Sequence, residues 1–157
     1  MDAVLKMLKD FIGNYMLISA ISGWLIAQII KIFTGMYEQG TMSIRKVLFS
    51  NGGMPSSHTA SVMALATAAF IQHGVGSPIF AVCAILAVIV INDAVGVRYE
   101  TGKQAVLLNK ITKKIFSGDG EHKHNILKEL VGHTPLQAIM GALLGVGVAI
   151  AMYFIML

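Results

Sequence analysis

Two histidines stand at the threshold of long apolar runs, His58 in "GGMPSSHTA" and His133 in "GHTPLQAIMG". An imidazole placed at a helix mouth can donate a proton to a leaving oxygen or, when neutral, attack phosphorus directly. In the first stretch the glycines supply unusual backbone angles, Pro55 pre-sets the first helical turn, and Ser56 or Ser57 caps it. The N–H groups and positive dipole end of such a helix make a ready site for a phosphoryl oxyanion. Plain capping of a membrane helix accounts equally well for the proline and serines, but it gives His58 nothing to do.

Cations suited to a phosphate are Lys31, near the end of the first apolar run, Arg45 and Lys46 in the loop after it, and Arg98. Arg98 is the strongest, because it follows "INDAVGV", where Asp93 is an ionisable group at the membrane boundary and a functional candidate for that reason. Lys31 and Arg98 also read as snorkelling side chains that mark orientation, and for Lys31 alone that reading is the simpler one. The cluster Asp119, Glu121, His122 and His124 sits in a glycine-flanked polar loop and reads as solvated, so neither a metal nor a cofactor is expected.

The elements that carry these residues follow from composition. Of the 157 residues, 55% are hydrophobic and 13% charged, with mean hydropathy +0.72. An ordinary soluble domain has roughly one-quarter charged residues, so this is a membrane chain. Apolar segments at about Tyr15–Phe33, Thr59–Val75, Pro78–Val97 and Leu136–Leu157 each approach the roughly 20 residues needed to cross a bilayer. The expected fold is an all-α integral membrane bundle of about four transmembrane helices, one domain over residues 1–157, with short interfacial helices. Residues 2–12 form one of these, alternating Val4, Leu5, Leu8, Phe11 and Ile12 with Lys6, Lys9 and Asp10; "KQAVLLNKITKKIF" forms another. The N-terminus, with acids among its lysines and no small-residue cleavage site, is expected to be retained. Gly141, Gly145 and Gly147 allow close helix contact in the last span. Cys83 is the sole cysteine and reads as structural.

Charge sets the expected topology. With four spans, the loops at 34–55 and 98–134 share one face and carry most of the lysines and arginines, which places them in the cytoplasm by the positive-inside rule. His58, Arg98 and His133 then lie on one side of a multi-pass protein of the cell membrane. The net charge of +4 suits anionic headgroups rather than nucleic acid. A homo-oligomer would cover apolar surface that four spans leave open.

"GGMPSSHTA" with "GHTPLQAIMG" resembles the divergent PAP2 family (domain of unknown function 212), related to type 2 phosphatidic acid phosphatases and vanadium haloperoxidases; the resemblance covers nearly the whole chain. In the wider superfamily a Pro-Ser-Gly-His motif supplies phosphate-binding amides and an acid histidine, which maps onto Pro55, Ser56, Ser57 and His58. Its His-x-Pro-x-Asp motif supplies a histidine nucleophile, here His133, and an orienting carboxylate. This sequence departs from that pattern at Ser57 for glycine, Gln137 for the aspartate, Leu127 for an arginine six residues before the nucleophile, and Glu38-Gln39 for an Arg-Pro pair. Gln137 would accept a hydrogen bond in the carboxylate's place, with Asp93 or Glu129 as substitutes from elsewhere.

The resemblance implies a metal-independent phosphatase acting on a lipid phosphate monoester or diphosphate. His133 would attack phosphorus, His58 would protonate the departing oxygen, and Ser56, Ser57, Arg98 and Lys31 would hold the phosphate. The rival from another class is a non-catalytic membrane protein that binds anionic phosphate headgroups. Gln137 argues for the rival; the two histidines argue against it, since binding alone needs only cations and amides.

Overall fold

A computed structural model describes residues 1–39, 53–116 and 133–157, all of them helical apart from short connections. Arg45, Lys46, Glu129 and the acidic and histidine cluster at 119–124 lie outside the described residues. The described elements are α1 (Asp2–Ile12), α2 (Tyr15–Gln39), α3 (Ser57–His73), α4 (Pro78–Asn92), a π-helical turn (Asp93–Val97), α5 (Arg98–Phe116) and α6 (Pro135–Met156).

Helix α1 has one apolar stripe and buries none of it: Val4, Leu5, Leu8, Phe11 and Ile12 all remain at least half exposed. A stripe left unburied by its own chain suits the plane of a membrane interface. Asn14 then caps α2, its Oδ1 accepting the Leu17 N–H at 3.1 Å. Among the described residues, three stretches are long and apolar enough to cross a membrane: Tyr15–Thr34, Pro78–Ile115 and Pro135–Met156.

Helix α3 has a different character. Its 17 residues reach about 26 Å, slightly short of the hydrocarbon core. Its buried side chains are Ser57, Thr59 and five alanines, and it packs against α2, α4 and α6. It is the hub of the bundle, and small residues all round let three helices close on it. Gly141 and Gly145 of α6 make the tightest approach. A β-carbon on Gly141 would lie 2.5 Å from the Ser56 carbonyl oxygen, and one on Gly145 would press into the Ala60 carbonyl. On the other side, a β-carbon on Gly23 of α2 would lie 3.0 Å from the same Ala60 oxygen. Gly147, by contrast, faces open space.

Two sequence expectations change. Pro55 does not open the first turn: Ser56 is the N-cap, α3 begins at Ser57, and Pro55 precedes the cap through a cis Met54–Pro55 peptide. The third span and the basic amphipathic segment are also not separated by a loop, because helix runs unbroken from Pro78 through the π turn to Phe116. At 1.5 Å per residue that rod is about 58 Å long, nearly twice the hydrocarbon thickness, so its basic half must leave the bilayer.

At the end of the bundle near α1, the Tyr15 hydroxyl donates to the Ala149 carbonyl at 2.8 Å, tying α2 to α6. The chain reverses between α3 and α4 at Gly74, with φ +78°, and Ser77 caps α4. The buried Lys31, Ser56, Ser57, Thr59 and His133 lie at the other end.

Candidate functional site

Four elements meet where α2 ends and where α3 and α6 begin. The mouth of α3 is shaped by its cap: Ser56 Oγ accepts the Thr59 N–H at 3.3 Å and the Thr59 hydroxyl at 3.0 Å, and all three of Ser56, Ser57 and Thr59 are buried. Gly53, at φ +90°, swings the entering chain against Lys31, and the Thr34 hydroxyl donates to the Met54 carbonyl at 3.0 Å. The loop is thereby pinned to the end of α2.

Lys31 does not snorkel. Its side chain is 3% exposed, and among the described residues its ammonium has one partner, the Ser57 Oγ at 3.3 Å. A hydroxyl satisfies one donor of three and none of the charge. The ammonium is therefore held beside the N-terminus of α3, where the helix dipole is also positive. Two positive features packed together without a counterion among the described residues are costly, and an anion at that point relieves both.

The Ser56 amide is committed elsewhere. It donates to the Gln137 carbonyl of α6 at 3.0 Å, a bond that locks the mouths of α3 and α6 together. Ser56 therefore shapes the site, while Ser57, whose N–H has no preceding helical carbonyl to bond, lies beside the Lys31 ammonium. His58 follows at the exposed rim.

At the mouth of α6, His133 is 3% exposed and its N–H donates to the Ala94 carbonyl in the π turn at 3.1 Å. A π turn breaks the regular i to i−4 ladder, which suits it to offering a carbonyl sideways. Thr134 caps α6 in a full capping box: its Oγ1 accepts the Gln137 N–H at 3.4 Å, and Gln137 Oε1 accepts the Thr134 N–H at 3.0 Å. The same Oε1 lies 3.2 Å from His133 Nδ1. Because a backbone donor already fixes the oxygen end of that amide, Nδ1 must be the donor, and the lone pair of neutral His133 is on Nε2.

The structure thus gathers Lys31, Ser56, Ser57, His58, His133 and Gln137 at one end, with Asp93, half-buried, beside Ala94. Arg98 opens α5 directly after the π turn, and its side chain lies outside the described residues. Sequence reasoning passed over two contributors, the Ala94 carbonyl and the capping box. The box was visible as Thr134-Pro-Leu-Gln137, the Thr-x-x-Gln signature ahead of an apolar run. A carbonyl offered by a π turn leaves no mark in residue type. No group of metal-ligating side chains occurs among the described residues.

The model of the divergent PAP2 family matches residues 12–148. The uncharacterized membrane protein YuiD of Bacillus subtilis (strain 168) is 36% identical over 158 residues, covering 94% of this chain and 99% of its own length. No solved structure matches the chain.

Proposed function

The chain belongs to the divergent PAP2 family of membrane proteins, and from that premise we propose that it hydrolyses a lipid phosphate monoester or diphosphate through a phosphohistidine. The observation that carries this reading is the buried Lys31 ammonium with Ser57 Oγ as its partner among the described residues, at the N-terminus of α3. That arrangement calls for an oxyanion; His58 follows Ser57 in the chain, and the Ser56–Gln137 bond ties the mouth of α6, which carries His133, to the mouth of α3.

His133 Nε2 attacks phosphorus in line, the bond from phosphorus to the leaving oxygen breaks, and His58 gives that oxygen its proton. Gln137 holds the imidazole in the required tautomer through Nδ1. Lys31 and the Ser57 N–H take the non-bridging oxygens, with Arg98 as the further cation. Water then attacks the phosphohistidine while His58 accepts its proton, releasing inorganic phosphate and restoring both rings. Asp93 and Glu129 have no step assigned to them. A lipid substrate follows from position, since the site opens at the ends of spanning helices, level with headgroups, on what the charge count makes the cytoplasmic face.

The test is phosphate release by purified protein from phosphatidate, phosphatidylglycerophosphate and prenyl diphosphates in EDTA, with and without orthovanadate. Release that survives EDTA, is blocked by vanadate and is lost in His133→Ala and His58→Ala is the expected result. Gln137 supports a second reading, because an amide orients His133 without stabilising the imidazolium charge that a carboxylate would. In that reading the protein binds phosphate headgroups without turning them over. Saturable vanadate binding with no release from any lipid decides for it.

A further inference from the structure

Below the site, α3 and α4 part to leave an apolar slot of about 290 Å³. Met63, Ala66 and Phe70 of α3 line it with Phe80, Ala84 and Ile91 of α4. We infer that this slot receives a single hydrocarbon chain of the phosphate-bearing lipid, an inference that rests on the phosphate reading of the site above it.

Continuity comes first. Ile91, at the upper end of the slot, lies three residues before Ala94, whose carbonyl holds the His133 backbone. Met63 lies seven residues beyond the Ser56 cap and touches α6 where Gly145 would carry a β-carbon. Along the axis of α3 the slot therefore starts about 10 Å of helix rise beyond the Ser56 cap, on a face of the helix well round from Ser57, and runs away from the cap. A phosphate taken by His133, whose backbone the Ala94 carbonyl holds, would hang its chain past Ile91 on this side of α3.

The floor is closed. Phe70 and Phe80 meet edge to face with ring centroids 5.7 Å apart, about 21 Å along α3 from Ser56. Behind the slot, Ala66, Ala69, Cys83 and Ala87 form a buried cluster, so α3 and α4 touch directly and the slot is shallow. A second helix, about 10 Å across with its side chains, has no room to enter between them. An unbranched or prenyl chain does. The side is open, with Val88 and Phe70 at least half exposed, which gives a lipid lateral entry from the bilayer.

Two readouts separate this inference from the phosphatase reading. The first uses a single-chain lipid phosphate with a photoreactive group at its chain end, beside the same chain on a neutral headgroup. Crosslinks should map to the peptides holding Phe70 and Phe80 for the phosphate probe, fall sharply in Ala84→Phe and in Lys31→Met, and be weak for the neutral probe. Equal labelling by both probes would mean ordinary surrounding lipid and would overturn the inference, whether or not the protein is an enzyme. The second compares release from long- and short-chain phosphate esters. The long-to-short ratio should drop about tenfold in Ala84→Phe, while Phe70→Ala should accept longer chains. An unchanged ratio in both variants also sinks it. Phosphate-dependent labelling without release from any ester would retain the slot and reject hydrolysis.

Discussion

Gln137 is the residue on which the chemistry turns, because it does two things with one oxygen. It closes the capping box of α6 and sets the tautomer of His133. Gln137→Leu should lower phosphate release about 100-fold through the mispositioned imidazole, and lower stability by about 1 kcal/mol through the lost cap. Gln137→Glu keeps both acceptor contacts and adds charge, so release at least equal to wild type is expected; a wild type that only binds would gain turnover in this variant. Steady-state release and thermal unfolding of the two purified variants check both statements. Lys31 makes an opposite pair of predictions. Lys31→Met should weaken vanadate binding about 100-fold, the size of losing one preorganised oxyanion partner. In the anion-free protein the same change should raise stability by about 1 kcal/mol, since it removes a buried charge lacking a counterion among the described residues. A stability loss in the anion-free protein would mean that Lys31 has a structural partner instead.

Among the elements, the contact of α6 with α3 positions both halves of the site at once. The Ser56 amide reaches Gln137 only because Gly141 and Gly145 let the helix backbones meet. Gly141→Ala should cost about 1–3 kcal/mol, as overpacked interiors do, and should depress vanadate binding and release together. Gly147→Ala is its control: its β-carbon meets nothing within 4 Å, so stability should hold or rise by up to about 1 kcal/mol from helix propensity. Thermal unfolding in detergent distinguishes the two glycines. Equal effects would show that propensity rather than close contact governs this helix.

At the scale of the whole molecule, the direction in which the bundle faces follows from its charges and is directly measurable. The positive-inside rule predicts that the site and the basic end of α5 face the cytoplasm, with the turn at Gly74–Ser77 outside. Cys83 is buried, which gives a low background for labelling introduced cysteines. Gly76→Cys should react with a membrane-impermeant maleimide in intact cells, and Lys113→Cys only after permeabilisation. The reverse pattern would put the site on the outer face.

Composition and spacing by themselves determined the helical membrane class, the four apolar runs and the two histidines at helix mouths, because lipid forces backbone hydrogen bonds to close within each segment. The residues of "GGMPSSHTA" and "GHTPLQAIMG" were legible as a pair for the same reason, since caps and helix starts are local. Which groups are used, and how, was decided only by packing. Lys31 reads as a snorkelling lysine until α3 is laid against α2 and turns its ammonium onto Ser57. Ser56 reads as an anion-binding amide until α6 arrives and its N–H is taken by Gln137. The slot between α3 and α4 has no sequence signature, because alanines at a helix contact and alanines beside a gap look alike. A side chain's type limits the bonds it can make; the neighbour that claims each bond comes from elements far apart in the chain.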